Sequence, residues 1–412
     1  MKQKLLFLLV LLLTATTGAW AQTTYKVSVK EGTEDAEKWT IDPTEAAEGS
    51  PVTATYSGEK KVKSVKAVKK GGAVDPLAVP LTIEAITPGI ISVSNPKEGM
   101  QYSKNGGAKN AVTTGDIVLA AGDKVQFYGN GTSITSYGAN SASNSTYITG
   151  SGDGFTCKVY GNIMSLVDEE NFATAKTLSA AYAFANLFNN SNTLTDASGL
   201  LLPATTLAAN CYELMFSNCS ALTAAPALPA TQLAAHCYDS MFYGCTALTA
   251  APELPATQLA ESCYRSMFSR CTALTAAPAL PATQLAANCY YSMFYRCYAL
   301  TAAPELPATE LANSCYREMF YGCSALTTAP VLPATQLAAN CYYRMFASCS
   351  RLATVTCLAT SGINVTNSTK DWLREAGTEA EDTKTIYTVS TADWPSGNNG
   401  IPHSWTRVSI DN

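Results

Sequence analysis

The stretch LAANCYYSMFYRC, Leu285 to Cys297, places two cysteines eight residues apart. The same frame returns 26 residues earlier as LAESCYRSMFSRC and 26 residues later as LANSCYREMFYGC. A fixed period of 20–29 residues with leucine at set positions is typical of a leucine-rich solenoid, in which each unit forms one coil. The sequence therefore predicts six stacked coils, numbered 1 to 6, which begin at Leu202, Leu228, Leu254, Leu280, Leu306 and Leu332.

Each coil is predicted to contain one short helix and one short strand. Asn288 is a favoured N-cap residue, so a helix of about two turns is expected to begin at Cys289. Cys289, Met293 and Cys297 would then lie at i, i+4 and i+8 on one helix face. The following segment, ALTAAPELP, is predicted to be extended, with Leu300, Ala302, Pro304 and Leu306 pointing inward. The recurring proline removes one ladder N–H per coil, which predicts short strand pairing.

The paired cysteines could serve as disulfides, as metal ligands or as small core residues. In a helix, eight residues separate two Cα atoms by about 12 Å, whereas a disulfide needs about 4.4–6.8 Å. Zinc sites favour two cysteines separated by two to four residues, which this spacing does not match. We therefore expect buried free thiols, with disulfides as one alternative and metal binding as another.

The first residues predict export. Two lysines precede the apolar run Leu5–Leu13, and Ala19–Ala21 forms an A-x-A cleavage motif, so residues 1–21 are predicted to be a signal peptide. The first cysteine of the chain is Cys157, which leaves no lipid-attachment cysteine after that motif. No second apolar run reaches the ~20 residues that a spanning helix requires. The expected protein is secreted or at the cell surface, with no membrane span, and is not a lipoprotein.

The rest of the chain divides by composition and repeat quality. Alternating segments with Gly and Pro between them predict two all-β modules ahead of the repeats, the second of them sandwich-like. The predicted fold is thus an α/β leucine-rich-repeat solenoid preceded by all-β modules. Its domains are a small β module at 22–75, a β-sandwich-like domain at 76–165, a degenerate repeat at 166–201, the six repeats at 202–357 and a C-terminal cap at 358–412.

Composition excludes several classes of function. Only 14% of the residues are charged and the formal net charge is -5, whereas nucleic-acid binders are usually basic. Two histidines in 412 residues leave almost no material for histidine-based catalysis or histidine-rich metal sites. No nucleophile beside a base, paired-carboxylate motif or phosphate loop is recognisable. We expect no enzyme activity, no catalytic residue, no metal and no cofactor.

Positions that vary from repeat to repeat are the candidate surface. Two of these positions accumulate tyrosine and arginine, the residue types enriched at binding hot spots. An alternative is that these tyrosines merely cover neighbouring apolar surface. The candidate ligand-binding residues are Tyr243, Arg265, Tyr291, Tyr295, Arg317, Tyr321 and Tyr343.

The repeat pattern CYxxMFxxCxALTxAPxLPATxLA resembles the BspA-like leucine-rich repeat family, whose units read approximately A-F-x-x-C-x-x-L-T-x-x-x-I-P. Met293-Phe294, Cys297, Leu300-Thr301 and Leu306-Pro307 fall on that frame. Family members are exported and surface proteins of host-associated anaerobes. The resemblance implies a surface location and adhesion to host proteins or to other cells.

The expected function is therefore that of an exported or cell-surface binding or adhesion protein. Its partner would be a host protein, a glycan or another cell, and its repeats would present the contact surface. Two alternatives remain open at this point. The N-terminal β domains could make the protein a glycan-binding accessory or a glycoside-active protein, or the whole chain could be a structural surface spacer.

Overall fold

The computed structural model describes residues 75–131, 134 and 145–410, together with the backbone of four short strands between residues 24 and 56. The predicted signal peptide, residues 1–21, lies outside the described residues. The chain divides into two compact units, Met1–Val79 and Pro80–Asn412. The first unit contains β1 (Thr24–Lys26), β2 (Trp39–Asp42), β3 (Glu45–Ala47) and β4 (Thr53–Tyr56), with antiparallel pairs β1–β3 and β2–β4.

The second unit begins with two antiparallel sheets. One has the strand order β11-β6-β9, and the other includes β12-β5-β10-β7-β8. Apolar residues of both sheets, such as Ile83 and Val125 in one and Ile91 and Ile148 in the other, are buried in one continuous core. The strands are β5 (Thr82–Ala85), β6 (Gly89–Ser94), β7 (Gln101–Lys104), β8 (Lys109–Ala111), β9 (Asp116–Leu119), β10 (Lys124–Tyr128), β11 (Tyr147–Ser151) and β12 (Cys157–Asn162).

The larger sheet continues into the repeats. Strand β13 (Leu194–Leu201) pairs in parallel with β12, and Asp196 in β13 forms a parallel bridge with Ala224 of coil 1. Further backbone bonds cross the junction, among them the 2.7 Å bond from the Ile148 N–H to the carbonyl of Leu187. The β region thus covers the first coil and satisfies backbone groups that an open solenoid end would expose.

The segment predicted to be helical is a ladder of turns. In coil 4, the N–H groups of Asn288, Tyr290 and Ser292 donate to carbonyls of coil 5 at 3.1, 3.0 and 2.8 Å. The residues between them, such as Cys289 and Tyr291, donate to the carbonyl three residues earlier. An α-helix would instead bond each N–H to the carbonyl four residues earlier. The predicted α/β repeat is therefore wrong, and no α-helix occurs in the part of the chain that the structure describes.

Left-handed backbone at every fourth residue makes this ladder possible. In coil 4 the φ angles of Asn288, Ser292 and Arg296 are 56°, 53° and 57°. Asn and His adopt this conformation more readily than most residues, so the side chain that resembled an N-cap marks a left-handed turn instead. The first such position recurs in all six coils as Asn210, His236, Ser262, Asn288, Ser314 and Asn340, with φ between 54° and 58°.

Along each turn ladder, two consecutive side chains point inward and the next two point outward. Cys289-Tyr290 and Met293-Phe294 are buried, and the pairs between them face outward to varying degrees. The buried rings stack from coil to coil with centroid separations of 5.3–6.3 Å. One ladder continues into the predicted C-terminal cap, where Trp372 stacks on Tyr342. The two ladders are Phe184-Tyr212-Tyr238-Tyr264-Tyr290-Tyr316-Tyr342-Trp372-Trp394 and Phe188-Phe216-Phe242-Phe268-Phe294-Phe320-Phe346.

The extended segments pair only briefly, as the prolines predicted. Coils 2 to 4 are joined there by single parallel bridges such as Ala250 with Ala276 and Ala276 with Ala302. Leu300 and Leu306 are buried as expected, but Ala302, predicted to point inward, is exposed. Longer pairing occurs toward the C-terminus, in a parallel sheet of β14 (Thr328–Leu332), β15 (Thr354–Cys357), β16 (Thr385–Val389) and β17 (Thr406–Ile410).

All fourteen cysteines are buried and unbridged, which agrees with the prediction of buried free thiols for the paired cysteines of the repeats. The thiol of Cys245 donates to the carbonyl of Phe216 at 3.1 Å. That carbonyl also accepts the N–H of Cys219 at 3.1 Å, so the thiol occupies a second acceptor site. The same thiol contact recurs at 3.0–3.1 Å in each coil. Cysteine fits this position because it is small, apolar and a weak donor.

Replacing Ser266 by glycine tests the turn ladder. Ser266 has a φ of 51°, and a left-handed residue costs about 1–2 kcal/mol, part of which glycine's greater freedom in the unfolded chain offsets. The free energy of unfolding is expected to rise by about 0.5 kcal/mol in urea titrations. The control Ser269→Gly, three residues away without a positive φ, should destabilise. Equal destabilisation by both changes, as in a helix, would contradict the ladder.

The thiols are expected to be protected by the fold rather than by disulfides. Native protein should react with few equivalents of a thiol reagent, because burial raises the pKa of thiols such as Cys271 to about 12 and keeps them protonated. Unfolding without a reductant should release close to fourteen reactive thiols. A count near zero after unfolding would mean that the cysteines are paired.

Alkaline pH should unfold the protein steeply. Burial raises the pKa of Cys219, Cys271 and Cys349 from 9.0 to about 12, so the unfolded chain loses these protons first. Stability is therefore complete below about pH 8 and falls between pH 9 and 12, by up to about 1.4 kcal/mol per pH unit for each thiol. Urea titrations at pH 7.5 and 10 measure this loss. Cys271→Ala should lower stability at pH 7.5 yet reduce the pH dependence, and an unchanged stability at pH 10 would contradict the mechanism.

Candidate binding surface on the turn face

The turn face consists of the outward side chains of the turn ladders. In coil 4 these are the pairs at 287–288, 291–292 and 295–296, and each other coil contributes the equivalent pairs. Because equivalent residues stack at the coil spacing, each variable position becomes a row of side chains along the solenoid. All seven sequence-predicted residues lie on this face.

The first row alternates arginine and tyrosine. The guanidinium carbon of Arg265 lies 5.3 Å from the ring centroid of Tyr291, and that of Arg317 lies 5.0 Å from the same ring. Arg317 is also 4.8 Å from the ring of Tyr343. These four predicted residues thus form an unbroken series of cation–π contacts across coils 3 to 6. Each such contact at a partly exposed site contributes about 0.5–1 kcal/mol.

The N-terminal end of this row is acidic. Asp239 is buried and meets His236 at 3.0 Å and Arg265 at 3.8 Å. One coil earlier, burial raises the pKa of Glu213, which accepts a hydrogen bond from the side-chain amide of Asn210 at 2.9 Å. Arg265 therefore marks the boundary between acidic coils 1 and 2 and the basic coils that follow.

The second row is only partly continuous. Tyr295 and Tyr321 stack with their centroids 4.8 Å apart and their planes 13° apart. Tyr243 lies two coils before Tyr295, and the residue between them, Ser269, is buried. The structure therefore joins two of the three predicted tyrosines of this row and separates the third. Tyr243 instead meets the guanidinium of Arg270 at 5.6 Å.

Sequence reasoning missed three arginines of this surface. Arg270, Arg296 and Arg344 have φ angles of 62°, 57° and 49°, so all three are left-handed positions of the ladder. Arg296 lies over Tyr295 at 5.2 Å, and Arg344 over Tyr343 at 5.0 Å. For Arg270 and Arg296 the indication in the sequence was the residue before the second cysteine of each coil, which reads Asn218, Gly244, Arg270, Arg296, Gly322 and Ser348. Arg344 stands at a different position, directly before Met345.

Coils 3 to 6 give the turn face a positive charge. Five arginines stand against two glutamates, Glu261 and Glu318, among the outward pairs of these coils. The chain as a whole has a formal net charge of -5, so this surface opposes the overall sign. Two of the five pair with aspartates outside these coils, Arg265 with Asp239 at 3.8 Å and Arg344 with Asp371 at 3.7 Å. The remaining excess of cations on an acidic protein favours an acidic partner at this face. The five are Arg265, Arg270, Arg296, Arg317 and Arg344.

The strand face, formed by the outward residues of the extended segments, is chemically plainer. Glu253 and Glu305 are exposed there, and their neighbours are mostly threonine and alanine. Among the described residues ahead of the coils, three carboxylates meet lysines: Asp123 with Lys104 at 2.9 Å, Glu84 with Lys158 at 3.2 Å, and Glu169 with Lys109. Hydrogen bonding, chiefly from Lys104, lowers the pKa of Asp123 to about 2.

Two further observations concern the described residues alone. Among them, no group of three or more His, Cys, Asp or Glu side chains is arranged to hold a metal ion. No helix in this part of the chain has the length and apolar character needed to cross a bilayer.

Comparison of the chain with protein-family models, with curated proteins and with solved structures gives no match.

Proposed function

We propose that this chain is an exported or cell-surface binding protein and that the turn face of coils 3 to 6 is its contact surface. The observation that carries the proposal is the unbroken series Arg265-Tyr291-Arg317-Tyr343, in which each side chain contacts the next. Host proteins, glycans and other cells remain the classes of partner. The activity is binding, without catalysis.

Mutual packing supports this role because it prepares the side chains for binding. Arg317 lies between the rings of Tyr291 and Tyr343, so its conformational freedom is reduced before any ligand arrives. Ordering a free arginine side chain at an interface costs about 0.5–1.5 kcal/mol, and a preorganised side chain avoids part of that cost. Tyrosine and arginine also supply stacking, hydrogen bonding and charge from a small area.

Two other functions compete with this proposal. A structural spacer needs no cationic surface, and its tyrosines would serve only to cover apolar surface. A glycoside-active protein needs two carboxylates facing each other at roughly 5–10 Å. In the β region, Glu84, Asp123 and Glu169 each face a lysine, an arrangement that suits ion pairing on a sheet surface.

The test is a binding screen of the purified mature protein against host matrix proteins and glycans, followed by one combined variant. Arg265→Ala, Tyr291→Ser, Arg317→Ala and Tyr343→Ser together should weaken binding at least tenfold, because the row then loses both its charge and its rings. A thermal melt checks that the variant remains folded.

The matched control carries four substitutions on exposed residues of the strand side: Glu253→Ala, Gln258→Ala, Glu305→Ala and Gln284→Ala. Its affinity should stay within about twofold of the unmodified protein, a difference of less than ~0.5 kcal/mol. Unchanged binding by the turn-face variant, with loss in the control, would move the site to the strand face.

A further inference from the structure

We propose that coils 3 to 6 of the turn face bind a linear acidic glycan whose chain runs along the solenoid axis, with its carboxylate or sulfate groups on the arginines. This inference rests on the proposed function and specifies its ligand. The argument uses the spacing of the charges, the backbone conformation of two arginines and the position of the tyrosine rings.

The cations are distributed along the solenoid rather than clustered. Arg270, Arg296, Arg317 and Arg344 come from four successive coils, and Arg265 adds a second cation in coil 3. Neighbouring paired strands lie about 4.8 Å apart, so four coils offer cations over roughly 15 Å, a length that about three to four sugars span. A series of guanidinium groups distributed over four successive coils suits a ligand that carries several anions along its length.

Two of these arginines occupy positions where the backbone favours glycine. Arg270 and Arg296 have positive φ angles of 62° and 57°. Coils 2 and 5 carry Gly244 and Gly322 at the same position, with φ angles of 70° and 71°, and coils 1 and 6 carry Asn218 and Ser348, with φ angles of 56° and 60°. Because a side chain there costs about 1–2 kcal/mol, backbone preference alone would favour glycine. Because glycine is accepted at this position in coils 2 and 5, arginine in two successive coils points to a role for the side chain beyond the turn itself.

The rings between the arginines favour a sugar chain over other polyanions. In the first row, Arg265 and Arg317 are two coils apart, about 9.6 Å, with the ring of Tyr291 between them. That spacing is comparable with one disaccharide of an extended chain, in which an acidic sugar commonly alternates with another sugar. Tyr291 and Tyr295 can pack against apolar faces of sugar rings while the arginines hold the acidic groups.

The acidic coils set one end of the site. Glu213 and the buried Asp239 precede Arg265 in the same row, so an anionic chain would be repelled beyond coil 3. The ligand is therefore expected to lie over coils 3 to 6. A glycan longer than this footprint should bind with little additional affinity, whereas a disaccharide should lose most of the affinity.

The experiment measures binding of the full mature chain by calorimetry to size-defined heparin and hyaluronan oligosaccharides. Hyaluronan carries carboxylates alone, whereas heparin also carries sulfates, so the two distinguish the anionic groups. Neutral dextran of similar length and inorganic polyphosphate serve as comparison ligands. Binding to at least one acidic glycan is expected, more weakly to polyphosphate and not to dextran. Affinity should fall about tenfold between 0.05 and 0.3 M NaCl, as charges become screened.

The decisive variant is Arg270→Gly with Arg296→Gly. It should lose at least tenfold in affinity for the acidic glycan while its melting temperature stays equal or rises, because glycine relieves the left-handed backbone. A merely structural role for these arginines would instead lower the melting temperature. The charge-matched control, Lys176→Ala with Arg351→Ala, removes two exposed cations away from the turn ladders and should bind normally.

The possible failures are distinct. If no acidic glycan binds at millimolar concentration, or if the double glycine variant binds unchanged, the glycan inference is overturned. In that case, if a protein or neutral glycan binds and the four-residue turn-face variant loses that binding, the proposed function stands and only the glycan inference fails. If the turn-face variant binds every such partner unchanged, both are overturned.

Discussion

The alternation of backbone hydrogen bonds in the turn segments is the interaction on which the rest of the structure depends. Every second N–H donates to the neighbouring coil, and those between donate three residues back within the same coil. The pattern recurs only if every fourth residue is left-handed, as at Asn288, Ser292 and Arg296. The pattern gives backbone N–H and C=O groups hydrogen-bond partners without a helix. It also holds the coils in register, so identical side chains stack on one another.

The interior follows from this register. Tyrosine stacks on tyrosine and phenylalanine on phenylalanine, and the thiol of one coil meets the phenylalanine carbonyl of the preceding coil. Cysteine serves here as a compact core residue with a weak donor. The buried hydroxyl of Tyr212 has no hydrogen-bond partner among the described residues, a cost that hydrophobic burial and ring stacking must offset.

The surface follows from the same register. A variable position in the repeat becomes a row of side chains, so a few substitutions per coil are enough to create an extended surface. Arg265, Tyr291 and Arg317 become neighbours in this way although 26 residues separate each from the next. At Arg270 and Arg296 the surface opposes the backbone preference that glycine meets in coils 2 and 5. Local conflict of this kind is expected where a residue is retained for what its side chain does.

The sequence by itself determined the 26-residue period, the buried cysteines, the short pairing of the extended segments and the rows that carry Arg265, Tyr291 and Arg317. It also led to the wrong local structure. Inward residues at i, i+1, i+4, i+5 and i+8 suit both a helix of 3.6 residues per turn and a four-residue turn ladder. Only the tertiary structure decided between them, because the partner of every second N–H lies in another coil. For the same reason, the contact between Arg270 and Tyr243, which belong to neighbouring coils, became visible only once the coils were stacked.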